Sequence, residues 1–167
     1  MPRPHDEPRR REFLKQGLAL GLAVAVGQAA RPRGLFAASL DPDPEVPNAQ
    51  IAKILQDLFG SRPIRRGHVL LDMPLVAEDG RVVPVMIEAP DLPMKPDNYV
   101  KAVHLIVDHN PDPHLAAFEL TPAMGTLSLQ TRIKMKRTTW VRAIVETSNG
   151  EVWADYARVN VSLNGCG

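Results

Sequence analysis

Along residues 51–59 the apolar side chains Ile51, Ile54, Leu55, Leu58 and Phe59 recur at i, i+3, i+4, i+7 and i+8, one stripe along a helix. Gly60 stands just past the stripe and Pro63 bars continuation, so the helix ends there. Residues 61–67 (SRPIRRG) read as a short basic loop. From His68 the period changes to two. Val69, Leu70 and Leu71 open a strand, and Glu78-Asp79-Gly80-Arg81 turns into a second over 82–87, where Pro84 marks an edge position or a bulge. Strands over 99–107 and 115–120 are divided by Asn110-Pro111-Asp112-Pro113. A further strand spans 126–135, and those over 138–147 and 151–163 flank Ser148-Asn149-Gly150, in which Asn-Gly is a strong hairpin signal. About seven strands at regular spacing predict an all-β fold, an immunoglobulin-like antiparallel β-sandwich preceded by a short helix. The 16 prolines and the 5% of aromatic residues also favour short strands and loops over long helices.

The amino-terminal pattern is of another kind. Residues 17–30 (GLALGLAVAVGQAA) form an unbroken apolar run, too short and too rich in Gly and Ala for a stable membrane span. Ahead of it, Arg10-Arg11-Glu12-Phe13-Leu14-Lys15 matches the twin-arginine export pattern R-R-x-F-L-K at every defined position. Charge is divided accordingly: residues 1–37 hold seven Arg/Lys against three Asp/Glu, and the other 130 hold thirteen against sixteen. Residues 1–37 are therefore expected to be a signal peptide, cut after Leu35-Phe36-Ala37, with Gly27-Gln28-Ala29 as the earlier alternative. The twin-arginine route exports folded cargo, so the mature protein is expected in the periplasm. Its mildly acidic balance argues against nucleic-acid binding.

Several side-chain groups invite a chemical reading. Asp108, Asn110, Asp112 and Glu119 fall at positions 1, 3, 5 and 12 of an EF-hand loop, but Pro113 stands where the sharp turn needs glycine. A proline-rich strand connection accounts for them better. His104, His109 and His114 are spaced by five; alternation puts His104 on one face with Val100 and Ile106, and the three read as solvated loop histidines rather than metal ligands. Arg132, Lys134 and Lys136 alternate with Ile133 and Met135, and Arg137 follows. A solvated sheet face is the simplest account of that run, and docking of an acidic redox partner is the functional one. Trp140 and Trp153 read as packing residues. The chain has no G-x-S-x-G, glycine-rich phosphate loop, CxxC or haem CxxCH, so no catalytic constellation, metal or other cofactor is expected.

The ending Asn164-Gly165-Cys166-Gly167 holds the single cysteine of the chain. Its thiol follows the last strand by three residues, a reach of about 10 Å when extended. Glycines keep such an arm thin, so it fits a narrow channel in another protein better than a cysteine on a sheet would. The Gly167 carboxylate disfavours the thiolate, and no helix N-terminus or cation adjoins it in sequence. The thiol is then a poor nucleophile by itself, as suits a covalent carrier rather than an enzyme. The competing readings are a one-cysteine peroxidase or thiol transferase, which needs an activated thiol, and a β-sandwich binding module whose cysteine is incidental.

Residues 108–167 resemble SoxY, the carrier subunit of the thiosulfate-oxidising Sox system. The likeness rests on Asn110-Pro111-x-Pro113 followed by Leu115-Ala116-Ala117-Phe118, on Thr131-Arg132-Ile133-Lys134-Met135, and on Val159-x-Val161 before Gly165-Cys166-Gly167. The resemblance implies a periplasmic immunoglobulin-like protein paired with a second β-sandwich subunit, SoxZ. It also implies oxidised sulfur species carried covalently on Cys166 and presented to the Sox enzymes that load, hydrolyse and oxidise them. The tail departs from the family's usual GGCGG, with Asn164 for the first glycine and one glycine after the cysteine. Asp108-His109-Asn110-Pro111 and Val141-Arg142-Ala143 also resemble SoxYZ-like carriers found beside quinoprotein alcohol dehydrogenases. The expected organisation is a signal peptide over 1–37, a leader and amphipathic helix over 38–67, a β-sandwich over 68–163 and a flexible carrier arm over 164–167.

Overall fold

The structure, a computed structural model, describes residues 46–163. The expected helix is α1, Ala49–Phe59. Asn48 caps its start by accepting the Ile51 N–H at 3.0 Å, and Gly60 closes it at φ 63°, donating its N–H to the Gln56 carbonyl at 2.8 Å. Glycine takes that left-handed conformation without a Cβ clash.

Among the described residues ten strands follow: β1 (Ile64–Arg66), β2 (Leu70–Asp72), β3 (Val76–Asp79), β4 (Val83–Ala89), β5 (Met94–Lys95), β6 (Asn98–Val107), β7 (His114–Glu119), β8 (Leu127–Ile133), β9 (Thr139–Thr147) and β10 (Val152–Leu163). They form a sandwich, a layout compatible with the immunoglobulin-like reading. One sheet has the order β1-β10-β9-β6-β5, with β7 also on β6 and β3 also on β10; the other is β2-β4-β8. Alternate residues of both sheets fill the space between them, among them Val83, Ile87, Val103, Leu105, Val141 and Val145. The even-numbered residues Ile106, Ile144, Val152 and Ala154 point the other way, and Ile51 and Phe59 of α1 pack on them as a second small core. Burying those two side chains supplies about 1.5–3 kcal/mol each, more than helical propensity gives an eleven-residue segment.

Besides the unexpected two-residue strand β5 on β6, the pairing differs from the expected pattern in three places. Residues 61–67 are not all loop: β1 runs parallel to β10, Ile64 opposite Val152, so the sheet begins before His68. β3 is also parallel to β10, Val76 opposite Asn160. Short parallel strands of three or four residues carry no period a sequence pattern shows. In β6 the register against β9 shifts between Val100 and Ala102, and the bulge sends Val100 into the core between the sheets while His104 faces outward. Val100 and His104 therefore do not share a face. Pro84 does sit at an open edge, though on a central strand. It lies opposite Arg132 of β8, beyond the point where the β2 pairing ends at Asp72 and Met86.

Candidate functional site

The end of β10 leads towards Cys166, and its surroundings are well defined. On one side β3 holds it: the Leu75 carbonyl accepts the Asn160 N–H at 2.9 Å, and Leu163 lies opposite Asp79. On the other side Thr138 Oγ1 accepts the Val161 N–H at 2.9 Å. Beside Thr138 runs the β8–β9 connection, residues 134–138, whose shape two contacts fix. Met135, fully buried, donates its N–H to the Gly80 carbonyl at 2.7 Å. Asn110, itself 8% exposed, donates Nδ2 to the Lys134 carbonyl at 2.7 Å and accepts the Lys136 N–H on Oδ1 at 3.0 Å. The anchored connection leaves Lys134, Lys136 and Arg137 exposed, with Arg132 one turn of the pleat earlier.

Across β10, Leu75, Val76 and Val82 are large apolar residues in solvent. Between them Asp79 and Arg81 form a forked ion pair, Oδ2 to Nη2 at 2.7 Å, and the guanidinium holds the Asp79 carboxyl below its usual range. The end of the sandwich from which the arm leaves is thus part basic and part apolar. Arg137, next to Thr138, therefore stands near the strand end that precedes Cys166. Cys166, Asn164, Gly165 and Gly167 lie outside the described residues, as do Arg10, Arg11, Phe13, Leu14 and Lys15.

The three histidines do not behave as a solvated loop set. His104 is 8% exposed on β6, and its Nδ1 lies 3.2 Å from Nε2 of His114 at the start of β7, so one ring donates to the other. Burial and then the neighbouring His114 depress the His104 pKa. His109 alone is in the exposed turn, with Nδ1 near Thr139 Oγ1 at 2.6 Å. Phe59 of α1 meets His104 edge-on at 5.3 Å. Beyond it Glu146 is ion-paired with Arg62 and, at 2.9 Å, with Lys101. Burial pushes the Glu146 carboxyl up, but the hydrogen bonds from these two cations outweigh it and leave the pKa lowered.

Asp108 is likewise a buried structural group. Its carboxylate takes Arg142 Nε at 2.6 Å and Nη2 at 2.7 Å, and Arg142 is 2% exposed under the Tyr156 ring. Asp108 and Asn110, two of the EF-hand-like positions, thus bind the fold itself. Among the described residues no group of three His, Cys, Asp or Glu side chains is placed to hold a metal, and no helix is long and apolar enough to cross a membrane.

Known proteins place this arrangement. The structure of the sulfur carrier protein SoxY from Chlorobium limicola f thiosulfatophilum matches 68% of this chain and 96% of its own, at 23% identity and a TM-score of 0.56, a likeness of fold. Superoxide reductases are more distant. The neelaredoxin of Ignicoccus hospitalis shares 12% identity at a TM-score of 0.46, covering 56% of this chain and 79% of its own. A Thermotoga maritima protein described as a superoxide reductase shares 12% at 0.47, covering 59% and 87%. No curated protein matches the chain. The model of the family described as "Sulfur oxidation protein SoxY" matches residues 55–166, from the middle of α1 through Cys166, and the chain belongs to that family.

Proposed function

We propose that the protein is an exported, non-enzymatic carrier that holds sulfur intermediates covalently on Cys166 and presents them to partner enzymes of thiosulfate or sulfur oxidation. The observation that carries this reading is that the family match runs to Cys166 itself, three residues past a strand end pinned on both sides. A firmly held root with a short glycine-containing arm beyond it suits delivery into a channel. The Chlorobium protein's description as a sulfur carrier supports the same role. Joining a sulfur atom of thiol oxidation level to the Cys166 thiolate forms one S–S bond and releases two electrons, so loading needs an oxidising partner. A SoxZ-like subunit as the stable partner and twin-arginine export to the periplasm complete the reading.

The test is mass spectrometry of the C-terminal peptide after incubation with thiosulfate and the loading enzymes. A sulfur adduct should appear on Cys166, be removed by reductant, and be absent from Cys166→Ser. Gly165→Val should leave the thiol alkylatable but slow turnover, since a branched residue stiffens and widens the arm. Unchanged turnover in Cys166→Ser defeats the carrier reading. Replacing Arg10 and Arg11 by lysine should abolish periplasmic accumulation.

A further inference from the structure

The arm is short, and its shortness fixes what a partner must touch. From Leu163 to Cys166 the chain spans at most about 10 Å. Any protein that draws Cys166 into an internal site must bring the mouth of its channel against the residues bounding the arm root. Those residues are the exposed basic connection on the β9 side and exposed Leu75, Val76 and Val82 on the β3 side. Among the described residues none of Arg132, Lys134, Lys136 and Arg137 forms an ion pair, whereas Arg81 at the same end is neutralised by Asp79. Asp72, Glu78 and Asp112 are exposed carboxylates on the neighbouring segments, and Asp72 lines a shallow pocket together with Arg132; Lys134, Lys136 and Arg137 are not part of that lining, so the connection itself stays positive. The chain from residue 38 onward is net acidic, which makes this end a local reversal of sign. Buried Asn110 fixes the backbone carrying Lys134 and Lys136, so the charges are presented from a rigid base.

We infer that the 134–137 connection is a docking surface for the partner enzymes' channel mouths, and that those mouths carry an acidic rim. The inference rests on the carrier reading and adds to it the surface and the chemistry of its partners. Opposite charges at the rim steer encounter and set the angle of entry, while the apolar side supplies contact once water is expelled. Charge at a rim acts chiefly on association rate and is screened by salt.

The experiment measures kcat/KM of the purified enzyme that releases sulfur from loaded Cys166, using the full heterodimer, as a function of NaCl. With wild type kcat/KM should fall steeply as salt rises. Lys134→Gln/Lys136→Gln/Arg137→Gln should lower it roughly tenfold at low salt, with the two converging near 0.5 M. A Lys134→Arg/Lys136→Arg protein should behave as wild type. Alkylation of Cys166 by neutral iodoacetamide should stay within about twofold in every variant, since the thiol is untouched. Equal kcat/KM and equal salt dependence in wild type and the triple variant overturn the inference. So does dissociation of the heterodimer in the triple variant, which would assign the surface to the stable subunit. Turnover that survives Cys166→Ser strikes instead at the carrier reading beneath it.

Discussion

Asn110 holds the connection beside the arm root by two hydrogen bonds, and removing them gives a calculable effect. Asn110→Ala loses the bond to the Lys134 carbonyl at 2.7 Å and the bond from the Lys136 N–H at 3.0 Å. A neutral bond contributes about 1 kcal/mol net, so the loss is about 2 kcal/mol. For a domain near this size each kcal/mol shifts the melting temperature by roughly 4 °C, so it should fall by roughly 8 °C. Asn110→Asp separates the two bonds. Its carboxylate still accepts the Lys136 N–H, but sets its second oxygen against the Lys134 carbonyl where a donor is required. It should be no more stable than the alanine variant at neutral pH, and should regain stability as acid protonates the carboxyl and restores a donor. Circular-dichroism melts across pH, with hydrogen exchange at the Lys136 amide, test both. If Asn110→Ala melts within 2 °C of wild type, by the scale of about 4 °C per kcal/mol, and Lys136 keeps its protection, Asn110 does not hold the connection.

Other parts of the fold give further outcomes. Asp108→Asn takes the carboxylate from a guanidinium that is 2% exposed, and should cost about 3–5 kcal/mol in urea unfolding, while Asp108→Leu with Arg142→Met should recover most of it; a cost below about 1 kcal/mol contradicts the role assigned to the pair. Because the folded pKa of His104 is depressed below the ordinary histidine value of 6.5, the unfolded chain binds more protons as pH falls through that value. Stability should be full above pH 6.5 and decline from there towards the folded pKa; His104→Gln should flatten that decline, and an unaltered slope would show that the group responsible is another one. Ile51→Ala should cost about 2–4 kcal/mol, because Ile51 is fully buried between α1 and the sheet, and a loss under 1 kcal/mol on the same scale would mean that α1 adds little to the fold.

How much of this was legible in the sequence depends on where each signal resides. Helix α1 was readable because stripe, Gly60 and Pro63 are all local, and the long strands β6, β9 and β10 because runs of nine or more residues rich in β-branched side chains stand between clear turn signals. The strands β1, β3 and β5 were missed: at two to four residues they are strands only because β10 or β6 lies beside them. The histidines were misplaced for a related reason. Their ten-residue separation crosses the β6–β7 turn, which folds His114 back against His104, and only pairing shows that. The bulge at residues 100–102 leaves the apolar pattern of β6 almost intact and so gives no local warning of a change of face.

The basic run shows both outcomes at once. Its alternation was correct, with Ile133 and Met135 inward and Arg132, Lys134 and Lys136 outward. Its nearness to the strand end that leads to Cys166 was invisible, because that nearness depends on one bond from Val161 to Thr138 and on parallel pairing with β3. Several residues of the segments that carried the family resemblance lie near this same end, although Leu115-Ala116-Ala117-Phe118 sits on β7, on the far side of β6. Asn110 shapes the connection, the Pro113 carbonyl accepts the Val107 N–H at 2.8 Å, Asp108 binds Arg142, and Met135 is buried below it all. The same holds for Asp108-His109-Asn110-Pro111 and Val141-Arg142-Ala143, the features shared with quinoprotein-associated carriers. These residues report a way of holding a strand end rigid, and a rigid strand end serves any cargo. Discrimination among cargoes then falls to the arm and to the surface around its root. Exchange of residues 164–167 and of the 134–137 side chains should therefore alter partner choice while Asn110, Asp108 and Arg142 keep the domain folded.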